Sequence, residues 1–510
     1  MENFESVKLE CVDTMKGIVF DVKCISKIQL ENLMHCLTWK KRMQNGKRIV
    51  IIQTEFYKIY ELPDKKLFAI ARHAFHQKFK NFQRHILSSH PCGTNLSYNV
   101  PKGKDVTFTT TIKLEPPQKA VCDYLIDYFQ PNTPEGGKKP TGCVFVMDAG
   151  LGKSFVASKI IERLGKKTLL VVMNTNQLQQ WKADVFGKYF SGVTIGEYSA
   201  KKKADGDIVI VIIKSLIKLE QNYLKEFGLV IFDEIPEFMG PSYREAFWKT
   251  NTQYVLGLTA TPDERLDGMD IFYKQLVGPL VRATDIEGFN VEQIIWKGRV
   301  KTIRYTGPPQ FTKTLTSVTN EMSCTMMNQQ FSQDPYRCQL IYNYIVELYN
   351  AGKNVYIFAT NRDHLENMCN IIRKANIDFT IEDDDEGPKA QKTVKTLMGG
   401  VSDAEVVEAK KKSRIIFTTY SYGAVGMSII KMDAIIFMTS RKNKMRQILG
   451  RILRRGGDPS IVRDIIDIVD YSTGIKSQYY KRKKIYEEKN FPIELIDIDY
   501  SSIPLKNFSI

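Results

Sequence analysis

The chain has 510 residues, with 73 Lys and Arg against 57 Asp and Glu, which gives a formal net charge of +16. This length is too great for one compact core, and we expect three or four domains at roughly 100–200 residues each. Hydrophobic residues at 43% and charged residues at 25% exclude wholesale disorder and fibrous classes. We expect neither a membrane span nor a secretory signal. The surplus of positive charge favours an anionic partner, with nucleic acid as the first candidate.

Nine cysteines are scattered along the chain, and none forms a Cys-x-x-Cys pair. Disulfide frameworks of secreted proteins and zinc ribbons both need regular, paired spacings of cysteine. The pattern therefore favours a reducing compartment in which the thiols stay buried and free.

The first 110 residues are more basic than the rest. They hold 18 Lys and Arg against 10 Asp and Glu, a net charge of +8, and five of the six histidines. Their densest basic part is 40–48, near strand-like runs at 49–54 and 66–71. A basic, aromatic segment at 75–84 is consistent both with base stacking and with a helix that packs an apolar stripe. We predict that residues 1–110 form a separate α+β accessory domain that adds nucleic-acid affinity.

One set of residues in this region imitates a metal site. It consists of His73, His76, His85, His90 and Cys92. Their spacing fits no zinc module well, because zinc modules bring their ligands in close, regular pairs. We therefore predict no zinc here.

Residues 114–280 follow a different pattern, in which short runs of Val and Ile alternate with helix-like segments. The runs are apolar at every position, which predicts strands buried on both faces of a parallel sheet. These strands are predicted at 143–147, 168–173, 208–213, 229–232 and 254–258. The same alternation of apolar runs and helix-like segments begins again further along the chain, with runs at 354–359, 377–381, 415–419, 434–438 and 464–470.

This alternation predicts an α/β fold with two tandem parallel-sheet domains. We place them at 111–282 and 335–475, with a connector at 283–334 and a C-terminal tail at 476–510. In the tail, the basic run 481–484 is predicted to be the solvated face of a helix, with contact to a nucleic-acid strand left open.

A glycine-rich loop follows the first predicted strand of the first domain and precedes a predicted helix. Its glycines let backbone N–H groups approach a phosphate, and the helix N-terminus adds partial positive charge. Lys153 is suited to neutralise the β- and γ-phosphates of ATP, and Ser154 is suited to bind Mg²⁺. The strict phosphate-loop pattern is G-x-x-x-x-G-K-[ST], and Met147 stands at the position of its first glycine. The residues predicted to hold ATP are Asp148, Ala149, Gly150, Leu151, Gly152, Lys153 and Ser154.

Two adjacent carboxylates, Asp233 and Glu234, end another predicted strand. Asp233 is predicted to hold Mg²⁺ together with Ser154, and Glu234 to orient and activate the attacking water. Two solvated acids at a strand end are the simpler alternative. The number of residues between Lys153 and these two acids is the one usual in the core of a P-loop ATPase, which favours the catalytic interpretation.

The segment 256–268 (LGLTATPDERLDG) makes the pattern specific. It resembles motif III of superfamily 2 DNA/RNA helicases, whose fold is a pair of RecA-like domains. Together with the lysine loop and the paired acids, the resemblance covers about 114–475. It is strongest to the poxvirus transcript-release helicase and its relatives in other large cytoplasmic DNA viruses, asfarviruses included. Phage helicases that remodel branched DNA are similar as well.

The resemblance assigns roles to further residues. Gln118 matches the glutamine that reads adenine, and Gln447, Arg451 and Arg454 match motif VI. The two arginines are expected one helical turn apart, so that both reach the γ-phosphate and stabilise the transition state. The residues expected to contact nucleic acid or to couple it to ATP are Thr175, Gln180, Trp181, Ser215, Thr259, Ala260, Thr261, Arg362, Thr419, Gly426 and Ser428.

Two departures from the family pattern concern coupling. Pro236 stands where relatives carry the His or Asp that links motif II to motifs III and VI. Proline has no side-chain donor, so the route that couples ATP to nucleic acid stays open. Ser428 replaces the usual Asp of motif V, although its hydroxyl can still form hydrogen bonds.

The resemblance implies an ATP- and Mg²⁺-dependent motor that steps along nucleic acid with 3′-to-5′ polarity. Its implied partners are DNA in single-stranded, duplex or branched form, RNA or DNA/RNA hybrid, and the viral transcription machinery, with no membrane. Its implied task is transcript release or genome maintenance, in the host cytoplasm or viral factory or packaged in the virion. Three alternatives stay open: a duplex translocase or annealing remodeller, an ATP-regulated nucleic-acid clamp with a weak ATPase, and a small-molecule kinase.

Overall fold

A computed structural model of the chain describes residues 9–45, 48–75, 94–130, 141–148, 150–200, 202–262, 268–290, 296–316, 322–375, 393–424, 429, 431–441, 445–453 and 458–505. The chain consists of two units, Met1–Val291 and Glu292–Ile510. Each unit contains a central, largely parallel sheet, which confirms the predicted α/β class with two parallel-sheet domains.

The central sheet of the first unit has eight strands among the residues that the structure describes. Seven of them run parallel, and a two-residue strand at one edge is antiparallel to its neighbour. The five predicted strands of this region are all present. The order across the sheet is Lys203–Ala204, Ile195–Tyr198, Ile208–Ile212, Thr168–Val172, Leu229–Asp233, Tyr254–Thr259, Thr141–Val146 and Leu280–Arg282.

Both faces of this sheet are covered, which explains why its strands are apolar at successive positions. Leu169 and Val171 pack into one apolar cluster, whereas Leu170 and Val172 pack into another on the opposite face. The helices of this part of the chain are Pro116–Phe129, Lys153–Leu164, Thr175–Gln179, Gly187–Tyr189, Ile213–Leu216, Gln221–Leu224, Arg244–Lys249 and Asp270–Leu276. A small antiparallel pair joins Thr109–Thr110 to Phe190–Ser191.

The N-terminal residues form a sheet of their own and a hairpin. The sheet order is Tyr57–Glu61, Lys66–Ile70, Gly17–Asp21, Leu9–Thr14 and Thr94–Tyr98. The helix Lys27–Cys36 begins with a capping box in which Ser26 and Gln29 bond each other's backbone N–H. The basic segment predicted at 40–48 lies in an antiparallel hairpin formed by Thr38–Asn45 and Arg48–Glu55. Apart from the buried Phe75, the basic, aromatic segment 75–84 lies outside the described residues, as do four members of the histidine and cysteine set.

This N-terminal part is not a separate compact unit, which differs from the predicted boundary at residue 110. Its buried Phe56 packs against Phe272, with ring centroids 6.1 Å apart. The buried Arg72 pairs with Asp13 at 2.8 Å and donates to the backbone carbonyl oxygen of Thr252 at 3.2 Å. Because apolar and ionic contacts are both shared, the N-terminal part and the central sheet form one body.

The sheet of the second unit has seven strands among its described residues, all of them parallel. Its order is Val394–Leu397, Ile415–Thr419, Val355–Ala359, Ala434–Phe437, Arg463–Asp470, Gly298–Thr306 and Ile493–Asp499. The predicted strand 377–381 lies outside the described residues. The helices are Cys324–Phe331, Pro335–Asn350, Arg362–Lys374, Asp403–Lys412, Tyr420–Ala424, Met445–Leu449 and Tyr479–Glu488.

Two segments predicted to lie outside this domain belong to its sheet. The strand Gly298–Thr306 comes from the predicted connector, and Ile493–Asp499 comes from the predicted tail. Both alternate apolar with charged residues because they lie at or next to the edge of the sheet, where one face is less covered. A criterion that requires an apolar residue at every position therefore missed them.

The basic run in the tail is only partly solvated. Arg482 is 1% exposed and forms two hydrogen bonds to the buried Asp467, of 2.8 and 2.9 Å. It also donates to the backbone oxygen of Arg441 at 2.8 Å. One residue of the predicted solvated face thus attaches its helix to the strand Arg463–Asp470.

No helix in the described part of the chain is both long enough and apolar enough to cross a membrane.

Candidate functional site

Three strands of the first unit end at the same edge of the sheet. The register pairs Thr259 with Val146 and Leu258 with Asp233. In parallel α/β sheets, ligands bind beyond the carboxyl ends of the strands. The glycine-rich loop, the paired acids and the first residues of motif III therefore meet at this edge, as their sequence positions predicted.

The loop before the helix Lys153–Leu164 needs its glycines. Gly150 and Gly152 have φ angles of 85° and 89°, a left-handed conformation that residues with a Cβ rarely adopt. A Cβ at Gly152 would lie 2.3 Å from Nε2 of Gln118, whereas one at Gly150 would meet nothing within 4 Å. Gly150 thus leaves open space at the loop. Met147 replaces the first glycine without conflict, because its side chain is buried in the core.

Gln118 holds this loop in place. Its Nε2 donates to the backbone oxygen of Leu151 at 2.9 Å, and its Oε1 accepts from the backbone N–H of Glu115 at 3.0 Å. Gln118 is also the third residue of its helix and part of a capping box with Glu115. The recognition of adenine by Gln118 stays a prediction, and the structure adds a second role as a brace of the loop.

Lys153 is the first residue of the helix after the loop. Its Nζ lies 3.5 Å from Oε1 of Glu234, and the Lys153 side chain is 12% exposed. This ammonium has no hydrogen-bond partner among the described residues. A buried ammonium normally has its donors satisfied, so this one is placed to receive an anionic ligand.

Asp233 ends its strand half-buried and accepts a hydrogen bond from Nε1 of Trp181 at 2.8 Å. Burial raises the pKa of Asp233 to about 6, and the neighbouring charge of Glu234 adds to this shift. The hydrogen bond from Trp181 and the charge of Lys153 oppose it. A carboxylate in this environment gains from a nearby cation, as a magnesium ligand should.

Glu234 has a φ of 56° and a ψ of 55°, which is unusual for a residue with a side chain. It precedes the short 3₁₀-helix Ile235–Met239, in which Pro236 is buried. Left-handed residues of this kind concentrate at functional sites, where the surrounding structure maintains them. The chain turn directs the Glu234 carboxylate towards Lys153.

The segment of motif Ia runs through Thr175–Gln179 and the π-helix Gln180–Phe186. Thr175 is exposed, Gln180 is half-buried and Trp181 is 3% exposed. Ser215 is half-buried in the short helix Ile213–Leu216. Of these four residues, Thr175 is the most accessible to a strand, whereas Trp181 faces the interior.

Motif III begins at the end of the strand Tyr254–Thr259. Thr259 is buried, and its hydroxyl accepts a hydrogen bond from the backbone N–H of Thr261 at 3.0 Å. Its backbone oxygen accepts from the N–H of Met147 at 3.1 Å. Ala260 and Thr261 follow as half-buried residues. Motif III and the glycine-rich loop are therefore directly connected through the backbone.

In the second unit, Arg362 is exposed at the start of the helix Arg362–Lys374, and Thr419 ends the strand Ile415–Thr419. Gln447 lies in the helix Met445–Leu449. The predicted residues Ala149, Gly426, Ser428 and Arg454 lie outside the described residues.

Motif VI is described as far as Leu453, so the predicted pairing of Arg451 with Arg454 stays a prediction. Its helix ends at Leu449, and the backbone tightens there because the N–H groups of Arg451 and Ile452 bond carbonyls three residues back. Arg451 thus lies in a turn after the helix and is 8% exposed.

Sequence reasoning missed two features of the site. The first is the capping pair of Glu115 and Gln118, which the spacing E-x-x-Q before an apolar run signals. The second is the hydrogen bond between Trp181 and Asp233, two residues 52 positions apart. No local sequence pattern predicts such a contact, because it depends on which loops lie next to each other at the edge of the sheet.

Residues 111–264 match the protein family described as type III restriction enzyme, res subunit. A candidate ATP-dependent RNA helicase of African swine fever virus is 33% identical over 366 residues, which cover 68% of this chain and 69% of the relative. A candidate ATP-dependent RNA helicase of Acanthamoeba polyphaga mimivirus is 26% identical over 79% of this chain and 72% of its own length.

Among solved structures, UvsW of T4 aligns over 97% of this chain and 100% of its own, with 13% identity and a TM-score of 0.36. The family assignment depends on the sequence matches, and the matched residues 111–264 include the loop, the paired acids and most of motif III. Taken with the two parallel sheets and the joined motifs at the edge of the first, these matches show that the chain belongs to the superfamily 2 helicases of large DNA viruses.

Proposed function

We propose that this ATP-hydrolysing helicase couples each hydrolysis cycle to movement along one nucleic-acid strand and thereby remodels or unwinds DNA or a DNA/RNA hybrid. The observation that carries the proposal is the Lys153 ammonium. It lies at the carboxyl edge of the sheet, 3.5 Å from Glu234, without a hydrogen-bond partner among the described residues. An underpaired cation beside a loop with open space at Gly150 is suited to a polyphosphate.

Each residue of the site has a proposed task. Lys153 binds the phosphates, and Gln118 keeps the loop in the conformation that exposes its N–H groups. Asp233 and Ser154 are the proposed ligands of Mg²⁺, which when bound would neutralise phosphate charge. Glu234 orients the attacking water and accepts its proton, and its contact with Lys153 keeps its carboxylate in place.

The nucleic-acid partner is proposed from charge and exposure. On the hairpin Thr38–Asn45 and Arg48–Glu55, Lys40 and Arg42 are exposed and lie on the same face. Neither has an acidic partner among the described residues, so both cations are available to phosphates. Exposed Thr175 in motif Ia is the proposed strand contact on the central body. Phosphate contacts of this kind give affinity with little sequence preference.

The biological task is proposed from the family. Transcript release in viral transcription is the leading candidate, with genome maintenance as the second, and 3′-to-5′ polarity is expected. The alternatives are a duplex translocase or annealing remodeller, and a nucleic-acid clamp with a weak ATPase. Pro236 is the feature that favours the clamp, because it removes the usual coupling side chain.

The test is ATP hydrolysis by the full chain with single-stranded DNA, duplex DNA, branched DNA, RNA and a DNA/RNA hybrid, each with Mg²⁺ and with EDTA. Stimulation by one or more of these, lost in Lys153→Ala, is the expected result. Strand displacement and triplex displacement on the best substrate then separate a helicase from a duplex translocase. Duplexes with a single-stranded tail on the 3′ or the 5′ side then test the polarity, because a motor of one polarity displaces the strand from only one of them.

Lys159→Ala is the matched control, because Lys159 lies on the same helix and pairs with Glu162 away from the loop. Hydrolysis in this variant should stay near that of the wild type. Wild-type protein that binds nucleic acid but shows no stimulated turnover would replace the motor by the clamp.

A further inference from the structure

The loss of a side-chain donor at Pro236 raises the question of how the nucleotide site senses nucleic acid. Pro236 is buried in the 3₁₀-helix after the paired acids and has neither a side-chain donor nor a backbone N–H. A hydrogen-bond donor that connects the proposed magnesium ligand to a strand-contacting segment must therefore come from another residue.

Trp181 makes such a connection. Its indole Nε1 donates to Oδ2 of Asp233 at 2.8 Å, and its ring is 3% exposed. A hydrogen bond to a half-buried carboxylate is stronger than one between neutral groups. The bond fixes one oxygen of Asp233, whose carboxylate also accepts a hydrogen bond from the backbone of Glu234. Trp181 belongs to the segment of motif Ia, only one residue after Gln180 and six after the exposed Thr175.

This segment is held as one piece. The side chain of Gln177 accepts from the backbone N–H of Met173 at 2.9 Å, where the strand leads into the helix. Lys182 pairs at 2.9 Å with the buried Glu197 on a neighbouring strand. The indole packs on Phe186, with ring centroids 5.5 Å apart. A displacement at Thr175 or Gln180 is therefore transmitted to the indole instead of being absorbed by a loose loop.

The helical form of this segment supports the same role. Residues Gln180–Phe186 form a π-helix, with the N–H of Gly187 bonding the carbonyl of Lys182 five residues back. π-Helical turns are uncommon and are often found at functional sites. Trp181 is the second residue of this stretch, so a shift there would move its N–H relative to Asp233.

We propose that Trp181 is the positioning residue that couples strand contact to the magnesium carboxylate, in place of the side chain that Pro236 lacks. Strand binding at motif Ia orients the indole, and the indole sets the direction of the Asp233 carboxylate. This proposal rests on the proposed function, since it needs a strand at motif Ia. It identifies one hydrogen bond as the route of coupling between the two ligands.

The first test compares Trp181→Phe with wild type in the full chain. Phenylalanine keeps most of the apolar packing and removes the N–H. We expect the stimulation of ATP hydrolysis by single-stranded DNA to fall at least fivefold, the low end of about 5–150-fold for coupling between two sites. We also expect the gain in nucleotide affinity on adding Mg²⁺ to shrink, whereas affinity measured in EDTA stays near wild type. Loss of packing alone would lower affinity in both conditions.

Trp248→Phe is the matched control. Trp248 is 6% exposed and packs in the first unit next to Lys58, away from the paired acids. It loses an indole N–H of comparable burial, and its stimulation and Mg²⁺ dependence should equal those of wild type. Thermal unfolding of both variants shows whether either has lost its fold.

The second test needs no variant to be active. Indole ¹⁵N labelling gives one N–H resonance for each of the four tryptophans, and the resonance absent from Trp181→Phe belongs to Trp181. If that variant fails to fold, assignment proceeds from substitutions of the other three. The Trp181 resonance should move when single-stranded DNA is added without nucleotide, and again with ADP and Mg²⁺, whereas that of Trp248 should not move.

The outcomes separate this proposal from the proposed function. Wild-type protein without stimulated hydrolysis would overturn the motor itself. Stimulation in wild type that is retained in full by Trp181→Phe would overturn only the coupling role. A Trp181 resonance that stays fixed while single-stranded DNA saturates the protein would do the same.

Discussion

The two units use buried charge in opposite ways. In the first, Lys153 ends near Glu234 at 3.5 Å without a hydrogen bond, and burial raises the pKa of Asp233. In the second, the guanidinium of Arg482 forms two hydrogen bonds to the carboxylate of Asp467. Asp467 also accepts from the hydroxyl of Tyr486 at 2.8 Å. Similar parallel sheets thus carry one ammonium that has no hydrogen-bond partner among the described residues and one ion pair that is fully hydrogen-bonded.

The difference shows how charged residues that bind a ligand can be distinguished from charged residues that only stabilise the fold. A buried ion whose partners are all present gains nothing from a ligand, so the Arg482 pair is structural. A buried ion whose hydrogen-bond donors are unsatisfied, such as the Lys153 ammonium, gains most when a ligand of opposite charge arrives. We therefore place the proposed site at the carboxyl edge of the first sheet, although the second unit holds the more completely buried ion pair.

The largest effect is expected when the structural ion pair of Arg482 and Asp467 loses its cation. Arg482→Met leaves Asp467 buried without its cation, so we expect the free energy of unfolding to fall by about 3–5 kcal/mol. The measurement is urea denaturation of the full chain. The double variant Arg482→Met with Asp467→Leu should recover part of this loss, because two apolar side chains replace the buried charges.

Lys483→Met serves as the control for this substitution. Lys483 is adjacent to Arg482 but 43% exposed, and its partner Glu487 is exposed as well. Its loss should cost only a few tenths of a kcal/mol. Equal effects at 482 and 483 would show that the buried pair is not structural.

The second prediction removes the underpaired charge instead. Lys153→Ala should lower ATP hydrolysis by about 10²–10³-fold, which is typical for removing one group that stabilises developing negative charge. Stability should fall little, because the ammonium has no hydrogen bond to lose among the described residues. Hydrolysis and urea denaturation on the same preparation measure both. A large loss of stability with retained hydrolysis would place Lys153 with the structural charges.

The third prediction concerns pH and the second unit. Burial, followed by the charge of Arg337, lowers the pKa of His364 to about 3. The unfolded chain takes up this proton near pH 6.5, and the folded chain does so only near pH 3. The contribution of the neutral His364 to the free energy of unfolding is therefore fully present above about pH 6.5. It is lost as the pH falls from 6.5 towards 3, because protons bind to the unfolded chain more readily. We expect a loss of about 2 kcal/mol between pH 7.5 and 5.

The comparison variant is His364→Leu, which removes the titration and keeps a side chain of similar size. Urea midpoints of both proteins at the two pH values measure the effect. The variant should lose less stability on acidification than the wild type. Parallel losses in both proteins would assign the pH dependence to other groups.

The smallest expected effect lies on the basic hairpin. Neutralising Lys40 and Arg42 to Gln should weaken nucleic-acid binding roughly tenfold at low salt and reduce the slope of log affinity against log salt by about 2. ATP binding without nucleic acid should not change. The control neutralises Lys65 and Lys66, two exposed lysines of which the second begins the strand Lys66–Ile70. Deletion of residues 1–110 is a poorer test, because it would uncover Phe272 and Trp248.

The sequence predicted the parts of the fold that local patterns encode. Solid apolar runs located the buried strands of both sheets, and the glycine-rich loop located the start of the helix at Lys153. The strands Gly298–Thr306 and Ile493–Asp499 were missed because their alternating side chains resemble those of an exposed segment. Arg482 was assigned to solvent because its neighbours in sequence are lysines, although its helix turns that one residue inward.

By itself, the sequence determined the family, the order of the motifs and the residue types available for phosphate and magnesium. Each of these depends on residues close together in the chain, where spacing alone limits the chemistry. Only the tertiary structure decided which charges are paired and which are left for a ligand. It joined Trp181 to Asp233, and Arg72 to the backbone of Thr252, across 52 and 180 positions. Such contacts depend on sheet order and loop direction, which no local spacing specifies.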